Sequence, residues 1–498
     1  MLRTIPHALC KELVTSLDFG GITAESDGLL LEARIQTPTF EELLKDKIDL
    51  VMGCKGSGKT AMFRLCMDLS GEFLEDFNIA LLNGADEQKQ EPVFQRYIKE
   101  FEKYSEDDFQ VFWKVYFIYL LNDCVFRSPK YKERLKCASA DIKRFEAAAK
   151  KSEIQVLKTH NSLFTIIHSA MSSIKCIQKF EGKIGADGSI VAGIELKQPT
   201  KDAEAATPVF ISALLDSIHS VLKKANLRIW IMLDRLDEVF PRHSEIERRA
   251  LRSLLRCIRV FQEEHIRIKV FLRDDIFESV TEGGFAALTH ITDRCSSSLN
   301  WDADEITHLV LKRALQSDEV RKHFSADNEK CNTNRQYRSQ LFYSMFPLKI
   351  NGDDTITWLY TMCQDGKDVV APRDIIELMR EAKRIQFKKL NSTKDDQDWL
   401  ISPSCFAEGF TAMSKKKKDV LLKAEFPDLF PHMLCFEQSK SEHKEASLKS
   451  LLGSRWRNKI KSLESIGFVR ADRSKKTWTI PYLYRPCFEI RNGRTKTT

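Results

Sequence analysis

Glycine and proline are scarce in this chain, 20 and 14 residues among 498, which excludes collagen-like and low-complexity architectures. Long apolar runs are missing too. The most apolar helical stretch, Val111 to Val125, is interrupted by Lys114, Asn122 and Asp123 and is too short to span a bilayer. The first residues, MLRTIPHALCKELV, lack the apolar core of a signal peptide. There is no Cys-x-x-Cys pair, no His-Glu-x-x-His motif and no other close Cys/His cluster, so a zinc site would need ligands far apart in sequence. The 13 cysteines are odd in number and scattered, which fits free thiols in a reducing compartment rather than a disulfide framework. These absences lead us to expect a soluble, cytoplasmic protein with no membrane partner.

What is present is a chain with 43% apolar and 30% charged residues, long enough for roughly two to four domains. Its charge is uneven. From Phe410 to Thr498 there are 20 Lys and Arg against 9 Asp and Glu, a net of +11, which leaves −4 for the rest of a chain whose total is +7. Lys415–Lys418 alone supplies four of those charges. A basic end on a near-neutral body suits an acidic partner such as nucleic acid, or simply a solvated basic face.

One motif dominates. Ile48-Asp49-Leu50-Val51-Met52 reads as a short buried strand and runs into Gly53-Cys54-Lys55-Gly56-Ser57-Gly58-Lys59-Thr60, a full G-x4-G-K-[ST] match. Ala61 to Met67 then has helical apolar spacing. A strand, a glycine-rich loop and a helix in that order make a phosphate nest, with backbone N–H groups turned inward at a helix N-terminus. Gly53, Lys55, Gly56, Ser57, Gly58, Lys59, Thr60 and Ala61 are therefore the expected nucleotide-binding residues. Lys59 would reach the β- and γ-phosphates and serve catalysis, and the Thr60 hydroxyl would ligate Mg²⁺.

Such a loop needs an acidic strand. Leu227 to Leu233 is apolar and ends at Asp234, followed by Asp237 and Glu238. Asp234 suits the metal, and either Asp237 or Glu238 could orient or deprotonate the attacking water. A further strand, Ile266 to Leu272, ends in Arg273-Asp274-Asp275. Arg273 there either senses the γ-phosphate or pairs with a neighbouring Asp. Asn78–Asn83 and Arg294–Leu299 read as two more strands.

The spacing predicts a largely helical insertion over about 91–206, including helices over Asp107–Asp123 and Tyr131–Ile177 and an Asp-Gly hairpin over Lys183–Val191. Phe109, Phe112, Trp113, Tyr116, Phe117 and Tyr119 read as helix core rather than a stacking platform. An amphipathic helix is expected over Trp301–Leu315. Further on, Pro372-Arg373-Asp374 opens a helix whose Arg373 either lies over the phosphates or pairs with Asp374. At the end, a basic helix over Leu451–Ser465, a strand at Phe468–Arg470, a polar turn at Ala471–Lys475 and a strand at Thr477–Tyr482 carry the order of a winged helix. On DNA, Arg455, Arg457, Lys459 and Lys461 would face the groove, with Arg473, Lys475 and Lys476 in the wing. Such modules also dock proteins.

With these residues in view, the chain resembles bacterial P-loop ATPases of the STAND/AAA-like kind, through its GxKGSGKTA loop and LDRLDE acidic strand. Gly21–Asp27 upstream, Leu299-Asn300-Trp301 after the core, Pro372-Arg373-Asp374 and Ile480–Arg485 extend the likeness. The resemblance implies an α/β fold: a P-loop NTPase with a parallel sheet, a large helical insertion, a helical lid and a C-terminal winged-helix domain. It implies ATP/ADP and Mg²⁺ as cofactors and a regulatory switch, oligomeric when triggered, of the sort that acts in antiphage defence through an effector or sensor protein. Arg235 stands where AAA+ ATPases usually carry Glu, which implies slow hydrolysis. The alternative is a DNA-associated ATPase with the winged helix on duplex DNA. The expected division is 1–47 as an N-terminal segment, 48–300 as the ATPase core, 301–395 as the lid and 396–498 as the basic end.

Overall fold

The structure is a computed structural model that describes residues 4–85, 94, 97–151, 166–172, 206–236, 240, 244–261, 265–284 and 293–494. Two compact units divide the chain. One contains residues 42–52 and 62–297, the other 1–41, 53–61 and 298–498.

In the first unit, apolar runs that cannot be left in water become the strands of a parallel sheet. These are β1 (Leu50–Gly53, whose last residue belongs to the second unit), β2 (Ile79–Asn83), β3 (Arg228–Leu233) and β4 (Ile266–Arg273). Their order is β1-β4-β3-β2, with β2 and β4 both parallel to β3. The strand that ends in Arg273 thus lies between the P-loop strand and the acidic strand. Near-continuous burial along β2, β3 and β4 is what a sheet covered on both faces requires. Cys295 bridges Leu50 in parallel, so the segment read as a last strand does run beside β1, as a bridge rather than a full strand.

Helix α1 (Lys59–Asp68) follows the loop, and Phe63 on it meets Phe271 of β4 edge-on at 5.9 Å. Helix α2 (Glu106–Leu121) starts at a capping box made by Ser105 and Asp108. It stops sooner than the spacing predicts, passing into a π-helical turn at Asn122–Phe126. All six aromatics of this stretch named above are buried, as expected. Two of them carry polar tips that find partners: Trp113 Nε1 donates to Ala250 O at 2.9 Å and the Tyr116 hydroxyl to Gly84 O at 2.7 Å. Ala250 lies on α4 (Glu245–Val260), which follows α3 (Ala206–Lys224), and α5 (Asp274–Thr281) follows β4. Of the predicted helix over Tyr131–Ile177, the described part consists of short turns, a helix over Ser139–Lys151 and helical residues again at 166–172. The hairpin over Lys183–Val191 lies outside the described residues.

A buried charge network ties the start of β1 to β4. Lys269 is fully buried, and its ammonium donates to Ile48 O at 2.7 Å and Asp49 Oδ1 at 2.8 Å, pairs with Asp46, and lies 4.4 Å from the centre of the Trp230 ring. Arg294 closes the network on Asp46 and Asp49.

In the second unit, the N-terminal helix His7–Ser16 shares a core with α6 (Ala303–Ala314), α7 (Pro372–Ser392) and α8 (Pro403–Lys416). Helix α6 begins at a capping box of Asp302 and Glu305. The chain then turns π-helical at Lys417–Leu422. At the end come β5 (Lys440–Lys444), α9 (Glu445–Leu452), α10 (Trp456–Ser465), β6 (Arg470–Asp472), β7 (Thr477–Thr479) and β8 (Arg491–Arg494). Strand β7 pairs antiparallel with both β5 and β6, and β8 pairs parallel with β5. The single helix expected over Leu451–Ser465 is two helices, because Gly453 turns left-handed at φ 76° and ends the first. The strand expected at Phe468–Arg470 starts two residues later, since Phe468 and Val469 are needed in the core. Among the described residues no helix is long and apolar enough to cross a membrane, and the described cysteines are free thiols.

Burial pushes the Asp49 carboxyl up, but the Arg294 hydrogen bond and the Lys269 charge outweigh it and hold its pKa below 3.8. A pKa lowered by folding adds stability above the unfolded value and loses it as pH falls through the folded one. Asp49→Asn should therefore cost about 3 kcal/mol at pH 7 by leaving Lys269 under-compensated. Denaturant melts across pH 2–7 should show the variant losing less stability below about pH 4 than the wild type.

Candidate functional site

The loop after β1 has the geometry its sequence demands. Gly56 and Gly58 take φ of 82° and 107°, values that side chains disfavour, and so the backbone can wrap tightly. Lys59 is buried at the first position of α1, and its ammonium curls back onto the carbonyls of the loop, donating to Gly53 O at 2.7 Å and Cys54 O at 2.8 Å. The Ser57 hydroxyl is buried with no hydrogen-bond partner among the described residues, an orphan polar atom inside the turn. Thr60 and Ala61, at the next two positions, are half-buried. Strand, glycine cradle, lysine and helix are all in place. The chain has a P-loop NTPase fold.

Comparison with known proteins gives little more. No family model matches the chain. A putative transposon gamma-delta 80.3 kDa protein of Escherichia coli (strain K12) is 23% identical over 315 residues, which span 59% of this chain and 39% of that protein. The match thus spans well under half of that relative's length. Among solved structures, the ORC2 protein of Aeropyrum pernix, in ADPNP–ADP complexes, aligns over 93% of this chain and 97% of its own with 12% identity and a TM-score of 0.40. The ORC1 protein of Aeropyrum pernix in complex with DNA aligns over 97% and 93% with 11% identity and a TM-score of 0.32. At these scores the likeness is loose.

Around the loop, within the same unit, stand further charged and aromatic groups. Arg373 is the second residue of α7, behind the rigid N-terminal Pro372, and its side chain is 3.4 Å from where a Cβ on Gly56 would be. It does not pair with Asp374, which is taken by Lys417 at 2.8 Å, and its ion-pair partner is Glu425 at 3.8 Å. Glu425 also holds Lys55 at 2.9 Å. Trp301 donates its indole N–H to Ser57 O at 2.8 Å and packs with Ile22, Ile35, Leu309 and Ile376. Sequence reading missed the roles of Glu425 and Trp301. Trp301 had a signal, a large aromatic just before a capped helix, whereas Glu425 had none.

In the other unit, Asp234 is buried directly after β3, followed by Arg235 at a left-handed φ of 57°. Arg273 is buried at the end of β4 and donates to both oxygens of Asp275 at 2.9 and 2.7 Å. Of the two roles open to Arg273, the structure displays the ion pair. Asp237 and Glu238 lie outside the described residues.

Gly58→Ala places a Cβ on a left-handed residue, and should cost about 1–3 kcal/mol in a thermal or denaturant melt while deforming the cradle. Gly71→Ala, in an open helical position, is the control and should leave stability within about 0.5 kcal/mol or raise it.

Proposed function

We propose that the chain binds ATP and ADP with Mg²⁺ and hydrolyses ATP to ADP and phosphate as a nucleotide-dependent regulatory switch. The observation that carries this reading is the loop itself, with Lys59 folded onto the Gly53 and Cys54 carbonyls and the Ser57 hydroxyl buried without a partner among the described residues. A bound triphosphate supplies the scissile phosphoanhydride and Mg²⁺ neutralises its charge. Gly53 to Ala61 would cradle the phosphates, Lys59 would exchange its carbonyl partners for phosphate oxygens, and Thr60 and Asp234 would hold the metal. Asp237 or Glu238 would orient water, Arg273 would answer charge developing on the γ-phosphate after leaving Asp275, and Arg373 would approach from the lid. In this reading residues 48–300 are the ATPase core with its insertion, 301–395 the lid, and 396–498 the module that meets the effector or sensor protein or a second copy.

A second reading, that the C-terminal end works as a winged helix on duplex DNA, has one supporting observation. Arg455, Arg457 and Lys461 are exposed on or beside α10, with Arg457 stacked 4.8 Å over Trp456. Cations across the basic end also meet carboxylates or carbonyls of the chain, Arg457 among them at 3.6 Å from Glu445. Lys416, Lys417 and Lys418 pair with Glu381, Asp374 and Glu437, Lys459 caps Leu452 O, and Arg473 and Lys475 pair with Glu464 and Asp472. The run Lys415–Lys418 that looked like solvated charge is mostly glue.

Lys59→Ala should weaken ADP binding at least about tenfold in an equilibrium titration, the worth of one lost charge-assisted contact. Asp234→Asn should keep ADP affinity and lower ATP turnover on the order of a hundredfold. Wild-type-like binding by the Lys59 variant would overturn the site. For the DNA reading, Arg457→Ala and Lys461→Ala should each weaken duplex binding and flatten its log-log salt slope by about one. A salt-independent or absent interaction would leave the protein-docking role.

A further inference from the structure

Two cations sit at the rim of the P-loop and one carboxylate oxygen serves both. Glu425 Oε1 is 2.9 Å from the Lys55 ammonium and 3.8 Å from the Arg373 guanidinium. The carboxylate is the most buried of the three, 9% exposed against 35% for Lys55 and 22% for Arg373. A buried carboxylate between two cations beside a phosphate nest stands where the chain's own charge can substitute for that of a ligand. Phosphate carries more charge and more acceptor oxygens than a carboxylate and is the stronger partner for Lys and Arg.

The segment that carries Glu425 is unusual in its own right. It follows α8 as a π-helix, Lys417–Leu422, and then a single α-turn, Lys423–Glu425. Runs of π-helix are rare and cluster where function needs a deformable backbone. The same segment is held to α7 by a second ion pair of opposite sense, Lys417 to both oxygens of Asp374 at 2.8 Å. Burial disfavours the Lys417 ammonium, yet Asp374, with Glu425 and Asp365 beyond it, keeps its pKa above the ordinary lysine value. Consecutive residues 373 and 374 thus meet residues 425 and 417 as a double cross-link of reversed polarity. On its C-terminal side the segment leads through helix Phe430–Leu434 into β5 and the terminal sheet.

We propose that Glu425 is an internal anion for Lys55 and Arg373, so that phosphate binding and docking of residues 417–425 compete. The inference rests on the P-loop binding a nucleotide, as proposed above. Nucleotide entry then releases the Glu425 contact and loosens the segment that feeds the terminal sheet, which is how occupancy of the loop would reach the C-terminal module.

The test compares the full chain with Glu425→Gln, which keeps the shape and removes the charge, in titrations with a fluorescent ADP analogue. The variant should bind roughly fivefold more tightly, the worth of one partly exposed ion pair. If the wild type shows no binding at all, the nucleotide reading itself is wrong. If the wild type binds and the variant binds equally or more weakly, the competition is wrong while the nucleotide site stands. Hydrogen exchange on the wild type alone gives a second readout that does not depend on the variant folding. Adding ADP should raise exchange across 417–425, and unchanged or slowed exchange there would overturn the proposal.

Discussion

The carbonyls of Gly53 and Cys54 converge on one ammonium, that of Lys59, and much of what this chain can do follows from that contact. A loop that turns left-handed at Gly56 and Gly58 aims peptide dipoles toward its own interior, where something charged must answer them. The carbonyls of Gly53 and Cys54 are answered by a lysine from the following helix. The same geometry that draws Lys59 into the loop places it where phosphate oxygens would recruit it, beside a Ser57 hydroxyl that is buried without a hydrogen-bond partner among the described residues.

Charge is handled in the same way elsewhere. Lys269 is fully buried and is tolerated because Asp46, Asp49, Ile48 O and the face of Trp230 surround it. Lys416, Lys417 and Lys418, adjacent in a basic run, meet four carboxylates, Lys416 those of Glu377 and Glu381, Lys417 that of Asp374 and Lys418 that of Glu437. The net charge of the C-terminal part is therefore a poor guide to its surface. What stays exposed includes Arg455, Arg457 and Lys461 on and beside α10 and Arg473, Lys475 and Lys476 in the turn between β6 and β7, and these bear on a polyanionic partner.

How much of this could be read from residues alone depends on sequence distance. The four strands were legible because each is an apolar run, and the P-loop because glycine spacing and its flanks leave few alternatives. The aromatic helix was legible as core because its rings recur on every face. Boundaries were less so: α2 stops at a π-turn that no propensity signals, and Gly453 divides a helix whose periodicity runs on across it. Partnerships were least legible. Arg373 had Asp374 beside it in sequence, yet its partner is Glu425, 52 residues on, and the Lys55 partner is the same residue 370 positions away. Periodicity reports on neighbours along one element and is silent about such pairs.

Everything proposed for this chain depends on the loop from Gly53 to Ala61 holding a nucleotide. The most direct test is calorimetric titration of the unmodified chain, stripped of any copurified nucleotide, with ADP and with ATP in the presence of Mg²⁺. One site per chain that depends on the phosphates, with adenosine failing to compete, is the predicted result. No binding at millimolar nucleotide, or binding that adenosine matches, would contradict it.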